Sequence, residues 1–148
     1  MQVFIVGAGP GDPELITVKG QRLLKKADVI IYAGSLVNPA ILNVAKAGAE
    51  IFNSASMTLP EVIEKIEEAV QNGKIVVRLH TGDPAIYGAI QEQMDELKKR
   101  KIAFEVVPGV SSFLATAAAL RQEYTLPDIS QTVIVTRNEG RTPVPERE

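Results

Sequence analysis

The chain has 148 residues, 45% apolar and 23% charged, with a net charge of −2. That is enough for one domain of ordinary size with a real core, and it offers no basic surface for nucleic acid or an anionic membrane. The absence of cysteine rules out disulfides and thiolate metal sites within this sequence, and one histidine, His80, cannot build a multi-histidine metal site.

QVFIV (2–6) is short, apolar and rich in β-formers, and it reads as a buried strand. The loop GAGPGDP (7–13) follows. Asp12 can cap a helix with Pro13 at its first position, and Leu15, Ile16, Leu23 and Leu24 predict a helix to about Lys26, weakened by Gly20. DVIIYA (28–33) is a second buried strand. Asn38 and Pro39 open a short helix to about Lys46. EIFNS (50–54) is a weaker third strand. Thr58 and Glu61 have the spacing of a capping box, and Val62, Ile63, Ile66, Ala69 and Val70 form one apolar stripe that ends at Asn72-Gly73.

KIVVRLH (74–80) is a fourth strand and leads into TGDPAIYG. A helix from about Tyr87 turns Ile90, Met94 and Leu97 inward, and its cationic end, KKRK (98–101), suits a solvated helix C-terminus. IAFEVV (102–107) is a fifth strand, and PGVSS leads to an alanine-rich helix over 113–121. LPDIS (126–130) is a connection, QTVIVTR (131–137) a sixth strand, and the polar tail NEGRTPVPERE is expected to be poorly ordered. Strands alternating with helices over short links predict an α/β fold, a parallel sheet flanked by helices. Ligands of such folds sit beyond the C-terminal strand ends. No apolar run approaches the ~20 residues of a membrane span, and the start has no basic segment followed by a long apolar one. No membrane or nucleic-acid partner is expected, and the expected location is cytoplasmic.

Three strand-end loops carry unusual chemistry. GAGPGDP fails as a dinucleotide fingerprint, because Asp12 stands where the third glycine is needed, and it has no Gly-Lys-Ser/Thr ending of a P-loop. Pro10 and Pro13 remove two N–H donors, and Asp12 puts negative charge where a phosphate would sit. Its glycines serve either close approach to a large ligand or a tight turn. In HTGDPAIYG, Gly82 allows a close approach, and Asp83 either accepts from ligand hydroxyls or caps the next helix, or both. His80 reads as a hydrogen-bonded structural residue, and Tyr87 as packing. In VPGVSS, Ser111 and Ser112 are helix caps or donors to a ligand. No Ser-His-Asp order or nucleophile elbow is present, which argues against a hydrolase.

Taken together, VGAGPGDPELITVKG, ADVIIYAGSLV, LHTGDPAIYGAI and VPGVSSF resemble the tetrapyrrole methyltransferases of the cobalamin pathway. YAGSLV and the closing TRNEGRTPVPE are most similar to the branch acting at C-11 of precorrin-4 or cobalt-precorrin-4. The resemblance implies two α/β domains with a cofactor cleft between them. Residues 1–125 are expected to be the first, and 126–148 a linker and the beginning of a truncated second domain. It implies S-adenosylmethionine as methyl donor, S-adenosylhomocysteine as product, a tetrapyrrole substrate and a homodimer. Carried over by motif, Pro10, Thr81, Gly82, Asp83, Ile86, Ser111 and Ser112 bind the cofactor, GAGPGDP faces the macrocycle, and Asp12 is a candidate general base. Related uroporphyrinogen enzymes carry an aspartate where this chain has Ala33, which favours the precorrin-4 branch. A sister methylase acting at another ring position, a non-catalytic nucleotide-binding α/β domain, and a structural fragment whose loops are only turns and caps remain as alternatives.

Overall fold

The three inner strands are mostly apolar on both faces, and a parallel sheet covered by helices is the arrangement that buries both. A computed structural model describes residues 2–138 and 144. The chain divides into two units, Met1–Ala115 and Thr116–Glu148. The first holds β1 (Val3–Gly7), β2 (Val29–Tyr32), β3 (Glu50–Asn53), β4 (Val76–His80) and β5 (Phe104–Val107). They make one sheet in the order β3-β2-β4-β1-β5, every pair parallel. The expected parallel sheet flanked by helices is therefore present.

Alternate strand residues feed two apolar clusters. Val6, Ile30, Val77 and Leu79 pack with Leu23 and Leu24 of α1 (Val18–Lys26) and with Ile41. Val3, Val29, Ile31 and Val76 pack with Val62, Ile63 and Ile66 of α2 (Leu59–Gln71) and Leu97 of α3 (Ile90–Lys99). Leu24, Ile63, Ile66 and Leu97 are fully buried, and each contributes about 1.5–3 kcal/mol by leaving water. α2 starts as predicted: the Thr58 N–H donates to Glu61 Oε2 at 2.6 Å. It ends at Asn72 and Gly73, with Gly73 at φ +72°. α4 spans Ser112–Leu120.

Four expectations need correction. The helix expected from Pro13 to Lys26 is cut in two. Pro13–Leu15 is a short 3-10 turn capped by Asp12, Ile16 and Thr17 are extended, and α1 begins afresh under Thr17, whose Oγ1 accepts the Gly20 N–H at 3.1 Å. The short helix after Asn38 is a 3-10 helix, Pro39–Val44, too short to gain from α-helical propagation. The helix expected from Tyr87 starts at Ile90, because Tyr87 (φ 54°) and Ala89 (φ 47°) are left-handed and cannot continue a right-handed helix. The sixth strand does not form. Residues 131–137 carry no strand, and Ile134 is 82% exposed. In the same unit, Leu126 and Ser130 close the LPDIS turn through two backbone hydrogen bonds of 2.8 and 3.0 Å. Apart from Asn138 and Val144, the tail 138–148 lies outside the described residues.

Candidate functional site

β4, β1 and β5 are neighbours, so the loops that leave their C-terminal ends converge. The Ala8 N–H donates to the His80 carbonyl at 2.7 Å. Gly9 and Gly82 exchange two backbone hydrogen bonds, Gly9 N–H to Gly82 O at 3.2 Å and Gly82 N–H to Gly9 O at 2.8 Å. The Gly109 N–H donates to Asp83 Oδ2 at 3.0 Å. Gly7 and Gly109 have no room for a side chain: a Cβ on Gly7 would lie 2.5 Å from Gly82 O, and one on Gly109 2.1 Å from the same atom. Gly7 and Gly109 thus let three backbones touch one another.

Beside this junction lies a cavity of about 330 Å³. It is lined by Thr81, Gly82, Asp83, Ile86, Ser111 and Ser112, together with Ala33, Leu36, His80, Tyr87, Gly88 and Phe113. Six of the seven cofactor candidates therefore share one wall system. Pro10 does not line it; it is half-buried in the first loop. Asp12 does not line it either. It is exposed, and its Oδ1 accepts the Glu14 N–H at 2.9 Å. The first loop is held from the other side by Asn38, whose Nδ2 donates to the Gly11 carbonyl at 2.7 Å.

Asp83 does not cap a helix as expected, because the residues after it, 84–87, form a turn and α3 starts only at Ile90. Its Oδ1 accepts the Ala85 N–H at 2.8 Å, and its Oδ2 clamps the β5 loop. Each oxygen keeps a second lone pair for a ligand. Arg78 and His80, both buried, sit on alternate positions of β4. Burial lowers the Arg78 guanidinium to about 10. Burial first, and then the Arg78 charge, push the His80 ring down to about 3 against a hydrogen bond to Gln93. The ring is thus neutral at neutral pH. Among the described residues the lining contains one carboxylate and no lysine or arginine, so it favours a neutral or cationic ligand over a phosphate. Among the described residues no group of three or more His, Asp or Glu side chains could hold a metal, and no helix is long and apolar enough to cross a membrane.

The family model of the Tetrapyrrole (Corrin/Porphyrin) Methylases matches residues 2–148. The chain belongs to this family. A cobalt-precorrin-4 C(11)-methyltransferase of Methanocaldococcus jannaschii is 63% identical over 147 residues, which cover 99% of this chain and 57% of that protein. The structure of a cobalamin biosynthetic enzyme, cobalt precorrin-4 methyltransferase, superposes with a TM-score of 0.94 at 55% identity, covering 99% of this chain and 61% of that one. A uroporphyrin-III C-methyltransferase of Thermus thermophilus complexed with S-adenyl homocysteine gives a TM-score of 0.74 at 34% identity, over 89% of this chain and 53% of the other. This tetrapyrrole methylase chain thus spans little more than half the length of these relatives.

In this methylase chain the sequence reading missed two features of the site. Tyr87, read as packing, lines the cavity and is 58% exposed. His80, read as structural, borders the same space with a free ring nitrogen. The strand-end position of His80 was a usable signal. The left-handed backbone that turns Tyr87 into the loop has none.

Proposed function

We propose that this chain takes part in S-adenosylmethionine-dependent methyl transfer to C-11 of precorrin-4 or cobalt-precorrin-4, and that the cavity at the TGDP and VPGVSS loops holds the cofactor. The observation that carries the reading is the convergence of Thr81, Gly82, Asp83, Ile86, Ser111 and Ser112 on one cavity whose described wall residues include no lysine or arginine. This cofactor has no phosphate and carries a cationic sulfonium, so it suits such a wall.

When bound, the cofactor supplies an electrophilic methyl group. The residues of this chain mainly orient and enclose. Leu36, Ile86 and Phe113 offer apolar surface that displaces water, and Thr81, Ser111 and Asp83 offer hydrogen-bonding groups that fix the direction of approach. The electron-rich carbon of the tetrapyrrole needs no protein nucleophile. Asp12 is the candidate to take up the proton released afterwards. The working form is a cytoplasmic homodimer.

Calorimetric titration of S-adenosylhomocysteine into the chain, with ATP and NAD alongside, tests the cofactor. Binding of S-adenosylhomocysteine alone supports the reading, and preference for ATP or NAD overturns it. Mapping the methylated product by NMR tests the ring position.

A further inference from the structure

Among the described residues Arg78 is the only lysine or arginine that is buried, and it forms no ion pair. It shares a face of β4 with Val76, because alternate strand residues point the same way, and Val76 packs in the apolar cluster under α2 and α3. The Arg78 Nε–H donates to Gln93 Oε1 at 3.0 Å, and an Nη1–H donates to the Ile31 carbonyl at 3.1 Å. A guanidinium has five N–H donors, and Nη2 has no partner among the described residues. Nor is Nη2 sealed in. The one fully enclosed side-chain nitrogen or oxygen without a hydrogen bond there is His80 Nε2, so Nη2 still reaches open space.

Arg78 lines a cavity of about 190 Å³ over β4, between the starts of α2 and α3. That is several times the ~30 Å³ share of one water. Met57, Leu59 and Val62 give the cavity an apolar side. Ala89 is the N-cap of α3 and has no side-chain oxygen, so the positive end of that helix meets the wall without a side-chain cap. Among the described residues the wall's one carboxylate is Glu92, which is exposed and does not pair with Arg78. A charge buried without a counter-ion is costly, and here the space for a counter-ion is present.

We propose that this cavity is an anion site for the carboxylate of a short aliphatic acid, with its oxygens on Arg78 Nη2 and its hydrocarbon against Met57, Leu59 and Val62. Arg78 does not line the cavity at the TGDP and VPGVSS loops, so the proposal stands apart from the cofactor reading. One cation facing one rim carboxylate favours a monoanion over sulfate or phosphate, whose second charge Glu92 repels. Two sources offer this chemistry, a free short-chain acid and a carboxylate arm of a tetrapyrrole.

Propionate titrated into nitrogen-15-labelled chain should move the Arg78 Nε–H signal, assigned through the side-chain carbons, and saturate on the order of 1 mM, the scale for so small a ligand. Propionamide has the same shape without the charge and should leave the signal in place. Sulfate should need at least about ten times the propionate concentration. Arg78→Met keeps the length of the side chain without its charge, and it should lose propionate binding in calorimetry. Glu92→Gln changes an exposed residue, keeps the test alive should Arg78→Met fail to fold, and should tighten binding about threefold. Uroporphyrin carries acetate and propionate arms and separates the sources. A shift at tenfold lower concentration than propionate assigns the site to an arm, and a shift with propionate alone assigns it to a free acid. An Arg78 signal that stays still in propionate, or moves equally with propionamide or sulfate, overturns the proposal and leaves water as the occupant.

Discussion

Asp83 accepts the N–H of Gly109 at 3.0 Å, and that bond fastens the loop after β4 to the loop after β5. The other carboxylate oxygen holds Ala85 at 2.8 Å, so one side chain shapes its own loop and anchors the next. Asp83→Ala should cost about 2–3 kcal/mol, the scale of losing hydrogen bonds to a charged acceptor. Asp83→Asn keeps one acceptor oxygen and should cost less. Urea unfolding of the three proteins gives the order. A loss of ligand in Asp83→Ala then counts toward direct contact only where Asp83→Asn, folded at the same urea concentration, loses it too.

The glycine junction predicts a steep steric penalty. An alanine Cβ at position 109 would meet Gly82 O at 2.1 Å and Gly7 Cα at 2.9 Å, all backbone atoms that cannot step aside. Gly109→Ala should destabilise by about 3 kcal/mol or more. Gly11→Ala meets nothing within 4 Å and carries only the strain of φ +125°, so its loss should be smaller. Thermal unfolding of the two variants side by side checks the difference, and equal midpoints would contradict close packing at the junction.

Stability should fall on mild acidification, and His80 should be the cause. Its folded value is about 3 against 6.5 unfolded. Between those values the unfolded chain binds a proton that the folded chain does not, so stability rises with pH and is lost as pH falls. The slope is about 1.4 kcal/mol per pH unit, or about 2 kcal/mol between pH 6.5 and 5. Asp28, Glu61 and Glu96 are held below their ordinary values by hydrogen bonds to Ile75, Thr58 and Lys99 respectively. Their contributions are lost only at lower pH, as the carboxylates themselves take up protons. Urea midpoints at pH 6.5 and 5 should differ clearly for the native chain and little for His80→Phe.

Thr17 rather than Asp12 should control α1. Its hydroxyl accepts the Gly20 N–H, and Thr17→Ala should cost about 1 kcal/mol, while Thr17→Ser should be close to neutral. Asp12→Ala loses only the cap of a three-residue turn and should cost less than Thr17→Ala. Chemical denaturation of the three variants decides between the two caps.

The elements most legible in the sequence were those whose signal is local. VFIV, VIIY and the 74–80 run read as strands because both faces are buried, and Thr58 with Glu61 read as a capping box because the motif closes within three residues. The 131–137 segment has the same β-rich composition, but composition carries no information about a pairing partner, and pairing decides. Tyr87 and Ala89 adopt left-handed backbone that neither residue type signals. Thr81, Gly82 and Asp83 were legible because strand ends place loops. The unpartnered Nε2 of His80 was not, because a nitrogen loses its water only when the surrounding elements have closed over the ring.

The strand order has a consequence for how the chain acquires its shape. β1 lies at the heart of the sheet, yet Val3 pairs with Val76 on one side and Phe104 on the other. During synthesis that apolar strand leaves the ribosome long before either neighbour exists. β1 gains its second neighbour only once β5 has been made, so that apolar strand stays open to chaperones and to misassociation until then.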